Sequence, residues 1–419
     1  MPSTKEEEEM VSYLSKITDI LKGMYVDNNK YLKIVNAAIY SKTYTDESIL
    51  LKNLIFLDDK NILTKNNRFK NIIAKLNVNP EDFSNKFWKE VEKLKDDAFT
   101  NFLMSLNGNI STSKMSVNSL NAPMNLANGS DAPQFSIYYP YSEQFMPVAG
   151  GDPNYYAPIT TLVTATLDAD EGWGTVPHYF NGVFQEYIQV LVNDDYAYNN
   201  PTQIIGVNGI EPYDNTAEVL IAPLPPPPPP GVSRVYVGEA ICKKQFDKLI
   251  SFTGNGGGSE IRFCRGSGYL QLVNNRVENF GDEFQSDFSR KQIRKEDWKR
   301  IYSIWDANWI EGNVEQIFAI YEKDNIGTAN FNGSLSTTIR LTTGINTTGT
   351  IGYSFTVTTQ DEIIRQLKID RNSYFRGAFI DQGCGFRPDF TFLPKPDTHG
   401  WPIYDCGANV SYTWPYNTF

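Results

Sequence analysis

Leu224-Pro225-Pro226-Pro227-Pro228-Pro229-Pro230-Gly231 divides the chain. Six consecutive prolines form a stiff polyproline II rod of about 3 Å per residue, with no backbone donors to join a sheet. The run therefore reads as a spacer between two folded regions. On both sides of it, short apolar stretches alternate with turn residues, the pattern of β-strands. Upstream, strands are expected at 135–139, 159–167, 183–192, 203–207 and 217–222. Downstream, they are expected at 235–241, 260–264, 316–321, 334–341, 350–358 and 410–414, with short helices at 291–302 and 361–367.

Further upstream the period changes. Met10, Val11, Leu14, Ile17, Ile20, Leu21 and Met24 recur at i+3 and i+4, one apolar face of a helix. Similar patterns continue to residue 105. Asn79-Pro80-Glu81-Asp82 reads as a helix start, with an N-cap, a proline in the first turn and acids at the positive end of the dipole. Residues 106–134 are rich in Asn, Ser and Gly and read as a linker. The expected fold is an α+β multi-domain chain. It comprises a helical region at 1–105, the linker at 106–134, an acidic β domain at 135–223, the polyproline linker at 224–231 and a C-terminal β-sandwich at 232–419.

The chain has 419 residues, 41% of them hydrophobic and 21% charged, which suits large buried cores and not a disordered protein. Its net charge is −11, with 38 basic and 49 acidic side chains. The excess is local. Residues 106–231 carry 12 acids and one cation, Lys114, whereas the flanking regions balance. Phosphate binding needs a cationic surface, so a nucleic-acid partner is excluded. Local repulsion in the middle segment favours cations or a basic partner surface there. No apolar run reaches the length of a membrane-spanning helix. The start, Met1-Pro2-Ser3-Thr4-Lys5, lacks the basic and apolar parts of a signal peptide, yet an extracellular or cell-surface location is favoured.

The catalytic inventory is thin. Only two histidines occur, His178, read in a loop after Pro177, and His399 in Asp397-Thr398-His399-Gly400-Trp401, and both read as ordinary surface or turn residues. There is no Gly-x-Ser-x-Gly elbow, P-loop or His-Glu-x-x-His motif, so the chain is not expected to be an enzyme. Cys242, Cys264, Cys384 and Cys406 allow three pairings, and buried thiols are the simpler reading. Calcium is the candidate cofactor, because alternating acids in a turn supply several oxygens to one concave site. The candidate ligands are Asp168, Asp170 and Glu171 in one cluster, and Asp306, Glu322 and Asp324 in another. Asn193-Asp194-Asp195 is a weaker acidic turn.

The loop Trp305-Asp306-Ala307-Asn308-Trp309, with a strand ending Ile320-Tyr321-Glu322-Lys323-Asp324, resembles C2-type β-sandwich domains. That resemblance implies acidic loops at one end of the sandwich that bind calcium and dock on lipid. The tandem order of regions is similar to uncharacterised bacterial surface or secreted proteins. Residues 334–359 form a Ser/Thr-rich pair of arms of which the second, 350–359, alternates apolar with Ser, Thr or Gly, as in hairpins of membrane barrels; Arg340 and the short arms count against that, and any half-buried hairpin shares the pattern. The leading expectation is a non-enzymatic multi-domain binding or surface-interaction protein, calcium-assisted, whose partner is a protein, a glycan or a membrane surface. The alternatives are a secreted effector or pore-forming toxin, and a carbohydrate-active hydrolase using paired carboxylates.

Overall fold

The computed structural model describes residues 5–44, 47–58, 61–107, 135–147, 156–207, 233–252, 256–271, 277–322, 329–340, 346–357, 363–375, 383–387 and 400–418. The polyproline run, most of the 106–134 linker and the strand expected at 217–222 lie outside them. The chain is mixed α+β, with most helices N-terminal and several mainly antiparallel sheets. It divides into two compact units. One comprises 1–214 together with 247–257, and the other 215–246 together with 258–419.

The first unit begins with α1 (Lys5–Asp27), α2 (Asn29–Tyr40), β1 (Ser48–Leu50), α3 (Leu51–Ile55), α4 (Ile62–Lys65), α5 (Asn67–Leu76), α6 (Pro80–Leu94) and α7 (Asp97–Ser105). Then follow β2 (Phe135–Tyr138), α8 (Ser142–Phe145), β3 (Thr161–Thr164), β4 (Glu171–Phe180), β5 (Val183–Asn193), α9 (Asp194–Asn199) and β6 (Thr202–Val207). The helix starts follow from local chemistry. Asn28, Asn66, Asn79 and Asp96 each cap a helix by accepting backbone N–H bonds that have no partner within it. Asn79 accepts from Glu81 N at 3.1 Å, with Pro80 in the first turn, as expected.

The apolar stripe of α1 is fully used: Leu14, Ile17, Leu21 and Met24 are buried. They share one core with Phe135, Ile137, Leu162 and Ile205 of the sheet. Residues 5–107 and 135–207 are thus a single packed layer pair, with α1 and its neighbours against a six-stranded sheet ordered β1-β2-β6-β3-β4-β5. The helical region even contributes a strand, because β1 pairs with β2.

The second unit contains β7 (Ser233–Cys242), β8 (Ser259–Gln271), β9 (Val277–Phe288), α10 (Arg290–Lys295), β10 (Lys299–Asp306), β11 (Glu315–Glu322), β12 (Ala329–Arg340), β13 (Asn346–Val357) and β14 (Ile363–Asp370). It ends with α11 (Arg371–Phe375), β15 (Phe386–Arg387), β16 (Trp401–Tyr404), β17 (Val410–Thr413) and β18 (Tyr416–Thr418). One sheet runs β10-β7-β17-β16-β15 with β18 beside β7, and the other β13-β12-β8-β11-β14 with β9 beside β8. Both feed one aromatic core, in which Trp305 and Trp414 meet edge to face at 4.5 Å between ring centres.

Two helix expectations change here. Residues 363–370 form β14, paired with β11 from Asp370 to Ile363, and not a helix. The buried strand β11 has β8 on one side and needs a partner on the other, and tertiary pairing overrides local propensity. The helix expected over 291–302 stops at Lys295, because Glu296 is left-handed (φ 51°) and the chain turns into β10.

Candidate functional site

The most distinctive surface of the first unit is the ribbon of β4 and β5. The two strands pair from Glu171↔Asn193 to Phe180↔Val183, with a bulge after His178. Asn181 and Gly182 join them with φ of 50° and 77°. Both residues are left-handed, which matches the twist of a two-residue hairpin and suits Asn-Gly. The root is tight. A Cβ on Gly174 would lie 2.9 Å from Thr161 Cγ2 and from Val163 Cγ2, and 3.0 Å from Val192 Cγ2. Glycine there lets β4 close onto β3 and the core.

Away from the root the support thins. β3 pairs with β4 only at Gly174 and Thr175. Residues 176–180 extend about 17 Å further with only β5 beside them among the described residues. This explains why Pro177 and His178 stand in a strand and not in the loop expected for them. Proline has no N–H, and that costs no ladder bond where the N–H would point toward a side without a neighbouring strand. One face leans on α1, where the Tyr187 hydroxyl donates to Lys22 O at 2.9 Å. Phe184 packs between Tyr179 and Tyr187, at 6.0 and 5.2 Å.

The rest of the ribbon is apolar and open to solvent. Trp173 is 66% exposed, Phe180 65% and Val183 62%, with Ile188 and Leu191 both at 43%. Trp173 sits across from Leu191, Phe180 from Val183, and Ile188 from Val176. With aromatic side chains of about 150–250 Å² each, the exposed fractions come to about 600 Å². That total is divided between two faces, with Trp173 and Leu191 on one and Ile188, Phe180 and Val183 on the other, so each carries about 300 Å², an area at which patches on soluble monomers already often mark contact surfaces. Residues 161–207 contain no Lys or Arg, so nothing on the ribbon offers a cation to a phosphate. Its signal in the sequence was Asn181-Gly182 between two apolar stretches.

The acidic candidates have other work. Asp168 accepts from Phe252 N at 2.6 Å and Ser251 Oγ at 3.0 Å, and Asp170 pairs with Lys248 at 2.8 Å. With the bridge Ala169↔Ile250 they fasten residues 247–252 to the first unit. Glu171 begins β4 and is exposed. Asn193 caps α9 by accepting from Tyr196 N at 2.9 Å, so Asp194 and Asp195 lie at the positive end of a short helix.

In the second unit, Asp306 is buried and faces donors. Arg265 Nη1 lies at 3.2 Å, Gln316 Nε2 at 2.5 Å and Asn308 N at 2.9 Å. Gln316 is the second residue of β11 and Glu322 its last, six residues or about 20 Å apart. The structure therefore does not bring Asp306 and Glu322 together, and Asp324 lies outside the described residues. Instead Glu322, buried, has a carboxylate oxygen within 4.8 Å of one from Glu260. His399 also lies outside the described residues. Cys384 and Cys406 form a disulfide, whereas Cys242 and Cys264 are buried thiols.

One titratable group went unnoticed in the sequence. Glu47 accepts from Tyr141 N at 3.1 Å, Ser142 Oγ at 3.1 Å and Glu143 N at 3.5 Å. Burial, aided by the nearby Glu143 carboxylate, pushes its pKa up to about 7. No pattern in the local sequence, an Asp46-Glu47 pair before β1, marks it.

No family model matches the chain, and neither curated proteins nor solved structures give a match. No helix among the described residues is long and apolar enough to cross a membrane.

Proposed function

We propose that this is a non-enzymatic, multi-domain binding protein that works by surface contact, with the β4–β5 ribbon as its contact element. The observation that carries this reading is the apolar ribbon itself, with Trp173, Phe180 and Val183 each more than 60% exposed. Leaving that surface in water costs free energy that a contact would recover. The second unit is read as a β-sandwich module carried with it. The Cys384–Cys406 disulfide supports an oxidising location, outside the cell or on its surface. The test places a photo-crosslinking amino acid at Phe180, with exposed Lys295 as the control position, in cells that make the protein. A discrete adduct formed from position 180 and absent from the control is expected. Equal or absent adducts at both positions would reject the ribbon as the contact element.

A membrane-acting role is the second reading. It is favoured by the β12–β13 hairpin, whose register runs unbroken from Ala329↔Val357 to Arg340↔Asn346. Dye release from liposomes on adding the full chain would support it, and its absence with and without calcium would reject it.

A further inference from the structure

We infer that β5 pairs antiparallel with β5 of a second copy of this chain, with the two-fold axis at Gln189. This rests on the reading of the ribbon as a contact element and names its partner.

Three observations lead there. First, β5 is an edge strand of eleven residues that pairs only with β4 among the described residues. Edge strands are normally guarded against pairing by Lys, Pro or inward charges. Val183-Phe184-Gln185-Glu186-Tyr187-Ile188-Gln189-Val190-Leu191-Val192-Asn193 has no Lys, Arg or Pro and a single charge, Glu186.

Second, the strand is complementary to itself. Opposed residues of an antiparallel pair point to the same face, so a two-fold axis perpendicular to the sheet must pass through a residue position. With Gln189 on the axis, Ile188 lies opposite Val190, and Tyr187 opposite Leu191, each twice by symmetry. Glu186 then faces Val192, and the two Glu186 carboxylates stand about 20 Å apart along the strands. Moving the axis to Ile188 sets Tyr187 against Gln189 and Leu191 against Gln185. Moving it to Val190 sets Glu186 against Asp194. The axis at Gln189 thus pairs Ile188 with Val190 and Tyr187 with Leu191 and avoids like charges.

Third, edge-to-edge pairing satisfies the outward backbone groups of β5, and the charge of the ribbon argues against a bilayer as the other occupant of an apolar surface. An anionic bilayer is a poor alternative, because the ribbon lacks cations and carries Glu171 and Glu186.

The test measures oligomeric state by sedimentation over a concentration series of the full chain. A dimer is expected for the wild type. The variant Ile188→Lys/Leu191→Lys changes two exposed positions and should weaken it by about a hundredfold or more, since each copy brings charges into the paired edge. Circular dichroism and melting temperature check that the variant folds. Gln189→Cys under mild oxidation should give a covalent dimer, since the residue meets its own copy, whereas Gln185→Cys should not. Raising salt should strengthen the dimer by screening the acidic segments. A monomer at all concentrations, or a dimer indifferent to the lysine variant, overturns the inference. If the chain is monomeric but position 180 still gives its adduct with another macromolecule, self-pairing fails while the contact reading stands. If the chain is monomeric and position 180 gives no adduct, both readings fail.

Discussion

Replacing Glu47 with Gln should make the first unit more stable at pH 8 and leave it unchanged near pH 4.5. The native carboxyl has its pKa raised from 4.5 to about 7, with burial as the main cause. Below pH 4.5 it is protonated in folded and unfolded chains alike, and its full contribution is present. As pH rises toward 7 the unfolded chain gives up the proton while the folded chain keeps it, so stability falls. Above 7 the loss is complete. The shift, at about 1.36 kcal/mol per unit, corresponds to about 3 kcal/mol. This is an upper figure, because the side chain is half-buried and water screens part of the cost. Gln keeps an oxygen to accept from Tyr141 N and Ser142 Oγ and has no charge to bury. The assay is calorimetric or urea unfolding of wild type and Glu47→Gln at pH 4.5, 6, 7 and 8, read as the difference between the two proteins so that other titrations cancel. A difference that grows in favour of Gln to between 1 and 3 kcal/mol is expected. A constant difference across pH, or a variant less stable at pH 8, would refute the argument.

Three further outcomes are expected. Gly174→Ala should lower the stability of the first unit by about 1–3 kcal/mol, because its Cβ would press on Thr161, Val163 and Val192 at 2.9–3.0 Å; a thermal melt within 1 °C of wild type would contradict this. Cys384→Ser/Cys406→Ser should lower the melting temperature of the second unit, since the bond closes a 22-residue separation worth about 3 kcal/mol in chain entropy, and an unchanged melt would show that the bond constrains nothing. Any rise in melting temperature on adding millimolar calcium should vanish in Glu322→Gln but survive in Asp306→Asn, because only Glu322 has a second carboxylate near it, whereas Asp306 already faces Arg265 and Gln316; the reverse pattern would return the site to Asp306.

The legible parts of the fold are those in which local chemistry and burial agree. The face of α1 and the cap at Asn79 were readable because every residue involved lies within a few positions of the others. β2, β5, β6, β7, β11 and β17 were readable from alternation or apolar stretches. β4 was not, since its Gly174 serves a close approach to β3 and its Pro177 is tolerated because one side has no strand beside it among the described residues. β14 read as a helix because the partner that makes it a strand, β11, is supplied by the fold. Asp168 and Asp170 read as a metal cluster, yet their partners stand about eighty residues further on, at Ser251 and Lys248.

The amino-acid order alone determined that the acidic excess is confined to residues 106–231, that the chain begins helical and continues in strands, and that no familiar catalytic motif is present. These are properties of composition and of short-range period, which do not depend on how distant segments meet. Only the tertiary structure decided that the helices and the first sheet share one core, that Cys384 bonds Cys406, and that β5 stands at an edge among the described residues with Val183, Ile188 and Leu191 in water. An apolar alternation looks the same whether its strand is central or last. Exposure belongs to the neighbours a strand has in space, and those are fixed by long-range pairing.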